Sequence, residues 1–381
     1  MIDIGGLLKE KPFSDRLKIV NGRYPDFFDG EIFTVVCDEK SRATALKITA
    51  QNANAKKIVE LSPDFRFDKS ESFSGEKNVL IIGEKDLVKK VRLALKSGDN
   101  RLIALLCDLS IAECFKKSVI IHDRSGEKKR DLCELNGIVF DLDLSFRSSR
   151  ANYAEAFCEC AAAAAIVAEK RLLDILSDKN GASADILKEA IGFLRGAKAE
   201  NLFSSIVSAQ LCLSKYYSEC DENKNDLDSV AGVLKKLDPT SGCGEALFAS
   251  AKAIISVYKI IIGNDLKNAD VIADPDGKLE SISELFGADG LSYFSGYEPF
   301  PEEVCLNAIG SLSLDPRAVK IVDEAVSDIS ALEKIYSLTY NGRKRRADYS
   351  ENAMRFCVSR GAYLSEGILK YYNDFGILEA L

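Results

Sequence analysis

The sequence predicts two halves of different class, an α/β half followed by an all-α half. Three observations carry this expectation. Up to about residue 147, short apolar runs alternate with amphipathic stretches, the pattern of strands joined by helices. The apolar runs hold apolar residues at consecutive positions, as strands covered on both faces of a parallel sheet do. Beyond residue 150 long amphipathic patterns dominate. A chain of 381 residues is long for one core, so two domains are expected, 1–147 and 148–381.

In chain order, the candidate strands are Ile32–Cys37, Val79–Ile82, Leu102–Cys107, Ser118–His122 and Ile138–Asp141. Helices are expected at about Glu39–Ala53 and Glu84–Lys96. The junction is the most informative stretch: a strand ends in Asp141-Leu142-Asp143, a polar loop follows, and an alanine-rich helix then carries Glu155 and Glu159. Asn152 is the expected cap of that helix, with Glu155 three residues on completing a capping box, and Asn180-Gly181 is its expected end. Further helices are expected at Ala184–Ala197, Asn201–Glu219, Leu227–Lys236, Gly244–Ile262, Pro301–Ser311, Pro316–Asn341 and Ser350–Phe375. The acid-rich Glu219–Asp226 reads as an exposed loop between helices, and Asp274–Gly277 as a turn.

Composition narrows the function classes. The net charge of −8 argues against a nucleic-acid partner. No apolar run is long enough for a membrane span, and Met1–Ile4 lacks the basic and apolar regions of a signal peptide, so a cytoplasmic protein is expected. Eleven cysteines, several in apolar surroundings, read as free core thiols of a reducing compartment. Cys158 and Cys160 are two apart on a helix, point in different directions and suit packing better than metal. Neither a nucleophile elbow nor a phosphate-loop motif occurs.

Other features have both a chemical and a plain reading. His122, the single histidine, ends a strand and is a weak candidate general base; otherwise it is a solvent-facing turn residue. The basic run Arg343–Arg346 suits a phosphate or acidic partner, or a charged link between helices.

Four segments resemble the superfamily of glycerol-1-phosphate dehydrogenase, glycerol dehydrogenase and dehydroquinate synthase. They are Phe33–Asp38, Asn78–Gly83 with the helix from Glu84, Gly126–Lys129 with Gly137–Asp143, and Ala156–Glu159 with the helix after it. The resemblance spans most of the first 175 residues and is patchy beyond, at Phe203–Gln210 and Pro239–Ala246. It implies a Rossmann-like nucleotide domain joined to an all-α domain that holds a divalent metal. It implies NAD(P) at Asp38, Gly83, Lys85 and Asp86, and Zn²⁺ at Glu159 with Cys243 or Glu245. It further implies a small polyol or phosphorylated ligand, and family members that commonly pair make a homo-oligomer an open expectation.

The departures from that pattern are specific. Where the superfamily has a glycine-rich phosphate loop only Gly83 remains, followed by Glu84. The superfamily's metal histidines are absent, and two registers of Pro239–Ala246 place either Cys243 or Glu245/Ala246 at a histidine position. The substrate aspartate is also absent, with Asp108 or Glu113 the candidates to stand in. Three functions therefore stand: a catalytically degenerate relative, an active metal- and NAD(P)-dependent oxidoreductase on glycerol or glycerone (phosphate) with a rebuilt site, and a non-enzymatic structural or regulatory partner.

Overall fold

The computed structural model describes the chain apart from residues 1–3, 12, 63–74, 96–99, 124–125, 178–183, 221–224, 263–279, 281–282, 285–297, 341–348 and 380–381, and apart from the side chains of 4, 120–123, 126–128 and 340. The expectations at Asn180-Gly181, Asp274–Gly277 and Arg343–Arg346 lie outside the described residues.

Six strands form one parallel sheet: β1 (Leu17–Val20), β2 (Phe33–Cys37), β3 (Ala55–Glu60), β4 (Asn78–Gly83), β5 (Arg101–Leu106) and β8 (Gly137–Asp141), in the order β1-β8-β5-β4-β2-β3. The two central strands β4 and β2 are buried at every residue, which is why their sequences are continuously apolar rather than alternating. β1 and β3 are edge strands with exposed lysines, and the same logic explains why neither reads as an apolar run. One face packs Val36, Val79, Ile81 and Phe140; the other packs Val35, Leu80, Ile82 and Val139. The expected strand at Ser118 is present as β6 (Ser118–Asp123), but it pairs with β7 (Gly126–Asp131) in a separate two-stranded sheet. Helices α1 (Ile4–Leu7) and α2 (Phe13–Arg16) precede β1, α3 (Arg42–Gln51) joins β2 to β3, α4 (Lys85–Ala94) joins β4 to β5, and α5 (Leu142–Phe146) follows β8.

The described residues beyond these form helices: α6 (Arg150–Ala161), α7 (Ala163–Ser177), α8 (Asp185–Arg195), α9 (Leu202–Glu219), α10 (Asp226–Leu237), α11 (Cys243–Ile262), α12 (Glu302–Leu314), α13 (Pro316–Tyr340), α14 (Glu351–Gly361) and α15 (Ile368–Asp374). The chain divides into two compact units, but not by one cut near 147. The first holds residues 1–120, 129–153 and 206–222, and the second holds 121–128, 154–205 and 223–381. Residues 206–222 join the first because Leu211 is part of the sheet core and the Gln210 side chain accepts the Ala112 N–H at 3.0 Å.

Two helix expectations need correction. The junction helix is interrupted at Ala162, and its first N–H groups are served by Ser149, whose hydroxyl accepts from Asn152 N at 3.2 Å; Asn152 is not the cap. The helix expected over Ser350–Phe375 breaks between Gly361 and Ile368. There the Ser365 hydroxyl and the Leu369 N–H, at 3.0 Å, are delivered to Asp226. Asp226 itself is fully buried, contrary to the exposed loop expected at its position.

Candidate functional site

In an open parallel sheet the ligand edge is the one where strands end. In the first unit that edge carries an acid after five of the six strands: Asp38 after β2, Glu60 at the end of β3, Glu84 after β4, Asp108 near the end of β5 and Asp141 at the end of β8. Each described carboxylate has a structural task. Asp38 Oδ1 accepts from Ser41 N at 2.9 Å and from the Ser41 hydroxyl at 2.6 Å, which starts α3. Glu84 pairs with Lys40 at 2.8 Å and accepts from Asn152 Nδ2 at 3.2 Å. Asp141 Oδ1 accepts from Asp143 N at 2.9 Å, Leu144 N at 3.4 Å and Gly22 N at 3.3 Å. Gly22 lies at φ +67, the left-handed turn that brings its N–H there.

The N-terminus of α4 is where a phosphate would dock, on free N–H groups at the positive end of the helix. Here Asp108, 5% exposed, reaches it: its Oδ2 accepts from Lys85 N at 3.0 Å, while Oδ1 accepts from Ser110 N at 3.2 Å. Gly83 leaves room not for a ligand but for Leu87, whose Cδ2 would stand 2.5 Å from a Cβ at that position. The local field agrees. Burial pushes the Cys107 thiol up to about 12, and the Asp108, Asp38, Glu84 and Asp141 carboxylates add to it. Burial likewise raises the Tyr24 hydroxyl, with Asp141 reinforcing the shift.

Among the residues expected to hold a dinucleotide, Asp38, Gly83 and Lys85 do meet at this edge, while Asp86 is exposed in the first turn of α4. The residues present do not fit a pyrophosphate: the helix N-terminus already has its anion, and the surrounding side chains repel a second. Of the substrate-side candidates, Glu113 is an ion-pair partner of Lys116 at 2.9 Å; burial works to raise its pKa, and Lys116, Lys89 and Lys85 overcome that and hold it at about 2. His122 lies in β6, with its side chain outside the described residues.

In the second unit, Glu159 and Glu245 are buried and Cys243 is exposed. Glu155 dominates this region. It does not complete a capping box on its own helix but caps α11, accepting from Gly244 N at 2.7 Å and Glu245 N at 3.3 Å. Gly242 and Gly244 exist for that contact: a Cβ on either would stand 2.2 Å from Glu155, from Oε2 and the backbone oxygen respectively. The superfamily resemblance assigns Gly242 and its neighbours to a metal loop; the signal it passes over is two glycines spaced around a thiol, which here mark a close helix crossing. Glu245 Oε1 accepts from the Tyr336 hydroxyl at 3.2 Å, and Tyr336 stacks on Phe157 at 6.0 Å between ring centres. Burial raises the Cys158 thiol well above its ordinary value, with Glu155 and Glu245 adding to it. Among the described residues no three histidine, cysteine, aspartate or glutamate side chains gather so as to hold a metal ion. The donor set Glu159, Cys243 and Glu245 does not fit Zn²⁺ as arranged.

No protein-family model matches the chain, and no curated protein matches it. Solved structures do. An archaeal halo-thermophilic alcohol dehydrogenase from a Red Sea brine pool superposes with a TM-score of 0.55 at 11% identity, covering 96% of this chain and 96% of that one. The chain has an alcohol dehydrogenase fold. A probable glycerol dehydrogenase from Sinorhizobium meliloti matches at 10% identity and a TM-score of 0.49, over 84% of this chain and 97% of that one. The match to the brine-pool enzyme, over nearly the whole of both chains, bears out the fold class expected from the sequence. A parallel sheet followed by an all-α remainder is this dehydrogenase fold's architecture, and the sequence identity marks a divergent example of it. Among the described residues no helix is long and apolar enough to cross a membrane.

Proposed function

We propose that this chain is a catalytically degenerate protein of the dehydrogenase fold, one that acts by binding rather than by hydride transfer. The observation that carries this reading is the Asp108 carboxylate seated on the Lys85 N–H, at 3.0 Å, where a cofactor phosphate would have to sit. A dinucleotide would have to displace a buried, doubly hydrogen-bonded carboxylate and bring its own negative charges among those of Glu84, Asp38 and Asp141. In the second unit the missing metal histidines are matched by a Glu155 cap and a Glu245–Tyr336 contact that give the acids structural work. Glycerol, glycerone or their phosphates, which the resemblance implies as substrates, gain no support from these residues.

A ligand that binds only the native state raises its unfolding midpoint. Thermal unfolding with NADH, NADPH and Zn²⁺, each at about 0.5 mM, is expected to leave the midpoint unchanged. A dose-dependent rise with NADH or NADPH that disappears in Lys85→Glu would overturn the proposal and restore a working dehydrogenase.

A further inference from the structure

At the opposite edge of the same sheet lies a cavity of about 460 Å³, within the range of small-molecule sites. Its position follows from chain direction: Arg16 immediately precedes β1, Leu135 precedes β8, and Arg92 lies in the last turn of α4, so all three stand where parallel strands begin. The carboxylate-lined edge described above is where those strands finish. The two sites are thus separate, and a ligand can occupy the cavity whether or not the other edge takes a cofactor.

The lining is strongly cationic. Lys11, Arg16, Arg92, Lys116 and Lys117 face it, against Glu134 and Glu219. Apolar walls come from Phe115, Leu132 and Leu135, all buried. Part of the positive charge is answered locally: Arg16 pairs with Glu134, Lys11 with Asp15 at 3.4 Å, and Lys116 with Glu113 at 2.9 Å. Arg92 is different. It is 3% exposed, and its hydrogen bonds go to four backbone oxygens: Cys133 at 2.8 Å, Glu113 at 3.3 Å, Cys114 at 3.2 Å and Lys116 at 2.7 Å. Carbonyls satisfy its N–H groups but carry only partial charge, so the guanidinium under the cavity floor is answered by carboxylates, Glu113 and Glu134, only through space.

That arrangement is also rigid. Arg92 O accepts from Cys133 N at 3.1 Å while Arg92 Nε donates to Cys133 O, and Leu132 N donates to Lys117 O at 2.8 Å, closing the base of the β6–β7 hairpin. Arg92 thereby fixes both segments that carry the surface lysines and the apolar wall.

We propose that this cavity binds a small organic anion, a phosphate or carboxylate group on an apolar body. The anionic head would lie near Lys116 and Lys117 above Arg92, and the body would lie on Phe115, Leu132 and Leu135. A charge-only surface would take inorganic phosphate as well as an aryl phosphate. A site with this apolar wall prefers the latter.

Isothermal titration of the full chain at low ionic strength tests this with phenyl phosphate, inorganic phosphate and phenol as probes. Phenyl phosphate is expected to bind one to one and more tightly than either other probe. Lys117→Glu, at an exposed position, is expected to weaken it about tenfold, and Glu134→Gln to tighten it a few-fold, because only a charge-selective site moves in opposite directions. Both variants are expected to keep the wild-type unfolding midpoint without ligand, which separates lost binding from lost folding. No binding at about 1 mM, phenol binding as tightly as phenyl phosphate, or affinities that ignore both substitutions would each overturn the proposal. NADH carries phosphates and serves as a cross-check: weak binding abolished by Lys117→Glu belongs to this cavity, whereas binding abolished by Lys85→Glu belongs to the other edge.

Discussion

The carboxylate of Asp108 accepts the backbone N–H of Lys85 at 3.0 Å, so the first turn of α4 receives its anion from the chain itself. This contact joins the ends of two adjacent parallel strands, β4 and β5, across the position that a phosphate would occupy.

Losing that contact leaves a buried N–H without its partner. Asp108→Ala is expected to destabilise the protein by about 1–2 kcal/mol, the range for a lost helix cap. Urea unfolding measures it; a loss within experimental error would show the carboxylate to be dispensable.

Two of the helical glycines, Gly192 and Gly244, are expected to respond with opposite signs to alanine. Gly192 has open space around it, and Gly192→Ala should stabilise by about 0.5–1 kcal/mol through helix propensity alone. At Gly244 a Cβ would stand 2.2 Å from the Glu155 backbone oxygen, so Gly244→Ala should cost about 2–3 kcal/mol as α11 is pushed away. Equal effects in denaturant titrations would contradict the crossing described for Glu155.

Glu169 and Asp226 are buried together. Asp226 N donates to both Glu169 oxygens at 3.2 Å, and the Asp226 carboxylate accepts from Leu369 N at 3.0 Å and from the Tyr258 and Ser365 hydroxyls. Burial, reinforced by Asp226, raises the Glu169 pKa well above its ordinary value, and burial also raises that of Asp226. A raised carboxyl binds its proton more tightly folded than unfolded. Its stabilisation is complete below the unfolded value of about 4.3 and is lost as pH climbs through the folded one. Stability should therefore fall on going up in pH from about 4.5, and Glu169→Gln, a neutral mimic, should flatten that slope. Identical slopes for the two proteins in pH-dependent unfolding would refute the shift.

All eleven cysteines are free, and Cys243 is the exposed one; Cys107 and Cys220 are half-buried and the others buried. Thiolate reactivity needs access to solvent. Titration of the native protein with a thiol reagent should show one rapid equivalent that Cys243→Ser removes, and eleven in denaturant. Rapid labelling that survives Cys243→Ser would show a second thiol to be open.

The division of information follows from these residues. Continuous apolar runs such as Asn78–Gly83 announce buried parallel strands, and amphipathic patterns announce the helices, because burial on two faces or one leaves a periodic mark on neighbouring positions. Edge strands Leu17–Val20 and Ala55–Glu60, with exposed lysines, leave no such mark. The acids Glu155, Asp108 and Asp226 are visible as residues, but their partners lie 89, 23 and 139 positions away in Gly244, Lys85 and Ser365.

By itself, then, the sequence determined the succession of elements and the α/β-then-α class. Which N–H groups those carboxylates serve, and that a buried Arg92 underlies a cavity on the far edge of the sheet, only the tertiary structure decided. The physical reason is that periodicity is a local property of the chain, whereas a hydrogen bond or a buried charge is defined by whichever distant segment folding brings against it.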